Sequence, residues 1–120
     1  MLPVAHRLHR QADFTTVVRR GRRASRPLLT VHLLEGTAAM SALPVRAGLV
    51  VSRAVGPSVT RHAVSRRLRH LLRQHVLPGA VSAPPGGSQL VVRASPRAAG
   101  ADSAALGADL DAALSRLARR

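Results

Sequence analysis

The feature that most constrains the fold of this chain is a regular amphipathic segment at residues 57–76. At about 100° per residue, one arc of the segment is formed by Val64, Leu68, Leu71, Leu72 and His75. Gly56 and Pro57 mark its start, and Pro78 and Gly79 mark its end, as is typical of helix boundaries. The sequence therefore predicts a helix that packs one face against the rest of the protein.

The opposite arc of this predicted helix is basic, and it carries His62, Arg66, Arg69 and Arg73. A row of charges on a helix is usually a solvated face, balanced by acidic residues three or four positions away. No acidic residue occurs between Glu35 and Asp102, so the repulsion between these arginines is not offset locally. We therefore expect this face to bind a polyanion whose phosphates neutralise the arginines.

The whole chain shares this excess of positive charge. Its 120 residues include 19 arginines and no lysine against five acidic residues, for a formal net charge of +14. An apolar fraction of 46% is ordinary for a globular protein, which argues against a disordered basic tail. The length fits one domain. In a cytosol the usual polyanion is nucleic acid, which is therefore the expected partner class.

Residue content disfavours several other functions. Without cysteine there is no disulfide, thiol nucleophile or cysteine-containing metal site. The five carboxylates are scattered, no glycine-rich phosphate loop or nucleophile elbow occurs, and the H-x-x-H pair His6 and His9 has no further ligand nearby. We therefore expect no catalytic or metal-binding residues in this chain. No segment is apolar enough for a signal peptide or a membrane span, so we expect a cytoplasmic protein.

The remaining periodicities predict an α+β fold with a single domain. Residues 11–20 fit a helix ending at Gly21, although their β-branched residues also fit a strand. Residues 28–34 and 45–53 are predicted to be adjacent antiparallel strands, and residues 89–94 a short third strand. A terminal amphipathic helix follows, with acidic residues near its start. The prediction is a sandwich of helices on one small sheet, with room for one more short strand.

Two motifs occur in order along the chain. Residues 52–69 read SRAVGPSVTRHAVSRRLR, a glycine turn and then a helix start with Val59, Arg61, Arg66 and Arg69. Residues 12–21 read ADFTTVVRRG, with Asp13, Phe14, Val17 and Gly21 at fixed spacing. The first motif resembles the V-x-R-N-R-x-x-R signature of the bacterial ribonuclease P protein family, and the second resembles that family's D-F-x-x-V-aromatic-x-x-G helix. The resemblance covers about residues 7–118.

The resemblance implies an α-β-β-β-α-β-α fold in which the arginine-rich helix lies in a left-handed βαβ crossover. It also implies the accessory protein subunit of a ribonucleoprotein endonuclease. In that family a catalytic RNA, with Mg²⁺ that the RNA itself holds, removes the 5′ leader from precursor tRNA by phosphodiester hydrolysis. The expected partners are therefore the catalytic RNA and precursor tRNA, with neither DNA nor a membrane as a partner.

The predicted site is carried over from the matching positions. Contacts to the RNA subunit are assigned by resemblance to Arg53, Arg61, His62, Arg66, Arg69 and Arg73. The leader is expected in a cleft between the sheet and the first helix, lined by Phe14, Val18 and Val31. A base stacked on Phe14 would contribute about 1–3 kcal/mol. The chain departs from the family pattern where His62 and Ala63 replace Asn-Arg, where Pro57 replaces Asn, and where Val18 and Val31 replace common aromatics.

Two other hypotheses are compatible with a small basic chain. A ribosomal-type protein or a DNA-binding architectural protein would share the charge, but neither has a reason to carry both motifs at this spacing. A cationic membrane-surface protein is disfavoured because the chain lacks tryptophan and has strand-like core segments.

Overall fold

The protein packs helices on both faces of a mixed sheet, as seen in a computed structural model that describes residues 7–8, 10–76 and 84–118. The helices and strands, in chain order, are α1 (Gln11–Arg20), β1 (Arg22–Ser25), β2 (Leu29–Leu34), β3 (Arg46–Val50), α2 (Ser58–Val76), β4 (Gln89–Ala94) and α3 (Ser103–Ala118). Short 3-10 turns lie at Ala38–Met40, Arg53–Val55 and Pro96–Gly100. This order confirms the α-β-β-β-α-β-α arrangement implied by the family resemblance.

The predictions of the first two helices along the chain are confirmed with small changes. Residues 11–20 form α1 rather than a strand, and the Gly21 N–H closes the helix by donating to the Val17 carbonyl at 2.8 Å. Helix α2 begins one residue later than predicted, because Pro57 precedes it and its carbonyl accepts the Arg61 N–H at 2.9 Å. No helix in the described ranges is long and apolar enough to cross a membrane.

The sheet has the strand order β1-β2-β4-β3. The predicted pairing of residues 28–34 with 45–53 is wrong, because β4 lies between β2 and β3, antiparallel to β2 and parallel to β3. Two parallel neighbours need a crossover connection, which α2 supplies between β3 and β4. Strand β4 has three consecutive fully buried residues, Leu90, Val91 and Val92, so a central position covers both of its faces.

Alternation along the strands divides the apolar residues between two cores. The larger core lies between the sheet and the helices α2 and α3, and its fully buried members include Leu29, Val31, Val64, Leu68, Leu72, Leu90, Val92, Leu106 and Leu110. A smaller cluster lies on the other face of the sheet, where Val17 of α1 packs with Leu8 and Val91. The predicted apolar arc of α2 is confirmed at Val64, Leu68 and Leu72, whereas the side chain of His75 lies outside the described residues.

Two of the acidic residues predicted near the start of the terminal helix make structural contacts, one just before α3 and one in its middle. Asp102 caps the helix by accepting the Ala105 N–H at 2.8 Å. Asp109 is only 9% exposed and accepts the Leu28 N–H at 2.9 Å, with Arg26 Nε at 3.4 Å. Helix α3 is thereby fastened to the β1–β2 connection, which fixes the edge of the sheet relative to the core.

Candidate nucleic-acid interface

The outward face of α2 is a strip of exposed cations. His62, Arg66, Arg69 and Arg73 are all exposed, at intervals of about one helical turn. Arg66, Arg69 and Arg73 have no carboxylate partner among the described residues. An uncompensated cationic strip on a rigid helix is suited to contact phosphate groups spaced along a nucleic-acid strand.

Two other predicted RNA-contacting residues lie in the turn before this helix and in its first turn. Arg53 is exposed in the 3-10 turn that leads from β3 toward α2. Arg61 is half-buried, and it donates from Nε to the Gly56 carbonyl and from Nη2 to Ser58 Oγ, both at 3.1 Å. Gly56 has a φ of +151°, a conformation that favours glycine. Arg61 therefore stabilises the glycine turn, with one of its three guanidinium nitrogens left over.

A recess of about 290 Å³ opens at the outer edge of β3, and Phe14 forms one wall of it. The Phe14 ring lies against Gly48, so closely that a Cβ at residue 48 would overlap the ring atoms Cε1 and Cζ. A glycine on this face of β3 is therefore what allows the ring of α1 to lie on the strand. The ring is half-buried, which leaves part of it available for stacking.

The same recess brings together two cations that lie far apart in the sequence. Arg69 of α2 lines it, so the signature arginine and the cleft aromatic share one site. Arg7 lines it as well, held by a parallel bridge to Ala47, next to the 3.0 Å hydrogen bond from the Leu8 N–H to the Ala47 carbonyl. Arg7 Nε is buried, and no described residue forms a hydrogen bond with it. An aromatic platform beside two guanidinium groups fits a stacked base and its phosphate.

The structure removes Val31 from the predicted cleft. Its side chain is fully buried in the larger core, on the face of the sheet that packs against α2 and α3. Val18 does lie on the α1 side, half-buried beside the smaller cluster. Side chains alternate between the two faces of a strand, so residues 30 and 32 share the face with Phe14 and residue 31 lies on the other face.

A second recess, of about 330 Å³, opens on that face, and its charged and titratable residues escaped the sequence prediction. The residues Arg23, His32, Val91 and Gly48 form one row across the four strands. Arg93 lies one row away, opposite Thr30. His32 is 4% exposed at this recess, with Arg23 and Arg93 beside it. The signal was available in the alternation of Thr30 and His32 within an otherwise apolar strand, although Arg23 and Arg93 come from distant segments.

The electrostatics of His32 follow from this setting. Burial lowers the pKa of His32 from its usual value, and the guanidinium groups of Arg93 and Arg23 lower it further. Both ring nitrogens are buried and have no hydrogen-bond partner among the described residues. A polar group in this state is costly unless something else satisfies it.

Comparison with known proteins assigns the family. The model of the Ribonuclease P family matches residues 2–118. The chain belongs to the ribonuclease P protein family. It is 56% identical to the ribonuclease P protein component of Streptomyces avermitilis, over 98% of this chain and 95% of that protein. It is 53% identical to the component of a Nocardioides species, with the same coverage of both chains. This assignment favours the ribonucleoprotein hypothesis over a ribosomal-type or architectural protein.

Solved structures share the fold at much lower identity. The ribonuclease P protein of Staphylococcus aureus superposes with a TM-score of 0.76 at 19% identity, over 96% of each chain. The protein from Thermotoga maritima gives 0.72 at 21% identity, over 92% of this chain and 96% of that one. The ribonuclease P protein fold is therefore retained here with its three helices and four strands among the described residues.

The described part of this ribonuclease P protein brings together no group of three histidine or acidic side chains that could hold a metal ion. Its site is instead built from arginines, one phenylalanine ring and one buried histidine. Side chains of these types are able to contact the phosphates and bases of a nucleic acid.

Proposed function

We propose that this chain binds the catalytic RNA of ribonuclease P and the 5′ leader of precursor tRNA, and so supports removal of the leader to give the mature tRNA 5′ end. The observation that carries the proposal is the recess at the edge of β3, where the Phe14 ring lies on Gly48 beside Arg7 and Arg69. Single-stranded nucleic acids bind where bases stack on aromatic rings and basic side chains follow the backbone. The leader is the single-stranded part of the substrate.

The exposed strip of α2 is assigned to the RNA subunit. Arg66 and Arg73 project away from the apolar arc of the helix, and Arg69 lies between them at the recess. This placement lets one helix contact the catalytic RNA along its outer face and the leader at its inner edge. Arg53 and His62, near the start of α2, extend the same surface. RNA bound on this strip would remove the repulsion between the arginines.

The hydrolytic chemistry in this proposal belongs to the RNA. Mg²⁺ held by phosphates of the RNA, rather than by side chains of this chain, would supply the activation of water and the stabilisation of developing charge. The side chains of this chain contribute positioning: arginines neutralise phosphates of the RNA, and Phe14 holds a leader base. The protein is then an accessory subunit whose effect is largest when Mg²⁺ is scarce.

The experiment that tests the leader assignment is a Phe14→Ala substitution in the holoenzyme reconstituted with ribonuclease P RNA. We expect affinity for leader-bearing precursor tRNA to fall by about 5- to 150-fold, the equivalent of one lost stack, and affinity for mature tRNA to stay within about twofold. The control is Leu43→Ala, since Leu43 is 54% exposed and lines neither recess. Equal losses on both RNAs would overturn the assignment.

A further inference from the structure

The second recess, around His32, is not accounted for by the Phe14 site. Besides His32, its lining includes Arg23 of β1, Arg93 of β4 and the hydroxyl-bearing residues Ser25, Thr30, Ser52 and Ser95. None of the described residues that line it carries a carboxylate. These groups together suit an oxyanion. The two guanidinium groups attract negative charge, and the hydroxyl groups and one imidazole N–H can donate hydrogen bonds to it. Only the unprotonated nitrogen of a neutral imidazole is an acceptor.

Strand register explains why these groups converge. Arg23 stands directly opposite His32, where Cβ atoms of paired residues lie about 5 Å apart. Arg93 pairs with Thr30, two residues before His32, which makes it a diagonal neighbour. The imidazole is therefore held between two arginines on a rigid surface. Both of its nitrogens lack partners, although the side chain is only 4% exposed.

We propose that this recess binds one backbone phosphate of single-stranded RNA, with Arg23 and Arg93 as permanent cations and His32 as a third donor that takes up a proton when the phosphate binds. The inference rests on the proposed function, because the leader is the single strand that reaches this face of the sheet. It adds to that function a phosphate subsite and a dependence on pH.

The sign of the pH effect follows from the charges around His32. In the free protein, burial, Arg93 and Arg23 hold its pKa below the usual value, so the ring is neutral near pH 7. A bound phosphate supplies a negative charge that offsets both arginines, which raises the pKa of His32. Affinity for RNA is therefore highest below the pKa of the free state, and it falls as pH rises through the interval between the free and bound values.

The other charged groups near β2 do not change this sign. Helix α1 packs over β2 and carries Asp13, Arg19 and Arg20, none of which lines the recess. Arg22 neighbours Arg23 in sequence, but it points to the opposite face and pairs with Glu35. Within the described part of the chain, the charges that face His32 are thus the two arginines of the recess.

The test is a histidine NMR titration of the full chain, alone and with a saturating single-stranded oligouridylate, whose phosphodiesters do not titrate near neutral pH. The resonance of His32 among the six histidines is assigned by comparison with His32→Gln. We expect the oligonucleotide to raise the pKa of His32 by about one unit or more, and to bind about tenfold more tightly near pH 5.5 than near pH 8. A parallel titration with sulfate gives the response to a free anion.

Variants separate the contributions. His32→Gln should abolish the pH dependence of RNA binding, whereas Arg93→Gln should weaken binding at every pH. Arg97→Gln is the matched control, since Arg97 is exposed and lies outside the recess. The inference would be overturned if the oligonucleotide bound without moving the pKa of His32, or if sulfate moved this pKa and the oligonucleotide did not. Reconstituted leader cleavage by wild type, measured in parallel, shows separately whether the proposed function holds.

Discussion

Replacing Gly48 with alanine tests the Phe14 platform without touching the ring itself. The added Cβ would overlap Cε1 and Cζ of Phe14, and Cε2 would lie 3.3 Å away. Carbon atoms normally stay about 3.5–4.0 Å apart, so the ring has to move by about 1 Å or more. The displaced ring no longer presents the same stacking surface, and the substitution should mimic loss of the ring.

The expected magnitude is that of one base stack, about 1–3 kcal/mol, which is a 5- to 150-fold loss of affinity for precursor tRNA relative to mature tRNA. The protein should remain folded. Overpacking costs about 1–3 kcal/mol, and removing a glycine from a strand returns about 0.5–1 kcal/mol of that. Circular dichroism melts check this point before any binding is measured.

The assay is a competition titration of both tRNAs against the reconstituted holoenzyme, for Gly48→Ala, Phe14→Ala and the double variant. Since both changes disable one platform, the double variant should lose no more than Phe14→Ala alone. Gly100→Ala is the control, because a Cβ there meets nothing within 4 Å. Losses that add in the double variant, or an unchanged preference for precursor tRNA in Gly48→Ala, would refute the platform.

The remaining predictions concern charge and stability. Because a net charge of +14 opposes compaction, millimolar sulfate should raise the Tm of the free protein; an unchanged Tm in low-salt buffer argues against anion sites on the native state. Arg66→Gln should reduce the slope of log affinity for the catalytic RNA against log salt by about one, while Arg116→Gln, at the exposed end of α3, leaves the slope unchanged; equal slopes in both variants contradict the assignment of the strip. Asp109→Ala should lower the free energy of unfolding by about 1–3 kcal/mol, because it leaves the part-buried Leu28 N–H without its acceptor and removes the carboxylate that pairs with Arg26; denaturant titration showing a loss below about 0.5 kcal/mol contradicts this.

The helices could be predicted from the sequence because their signals are local. The period of Val64, Leu68 and Leu72 specifies which face of α2 is buried, and α1 ends at the glycine that the sequence marks. Strand pairing depends on contacts between distant segments. Nothing within residues 28–53 shows that a third strand, β4, enters between β2 and β3, which is why the pairing prediction failed.

The site residues likewise fall into those found from local sequence signals and those that depend on contacts between distant segments. Phe14 and the arginines of α2 were found because each belongs to a contiguous motif, and their roles in binding RNA stay predictions. Val31 was misplaced by one residue in a strand, which moves a side chain to the opposite face. Only the alternation of Thr30 and His32 points to the proposed subsite in the sequence, since its two arginines come from β1 and β4 and meet only through the sheet register.

The central claim is that this chain supports cleavage by a catalytic RNA. The most direct measurement combines the purified chain with the ribonuclease P RNA of its own organism and end-labelled precursor tRNA, at a Mg²⁺ concentration where the RNA alone is slow. We expect faster cleavage at the mature 5′ end, with release of the intact leader. A folded chain that leaves the rate of its cognate RNA unchanged would contradict it.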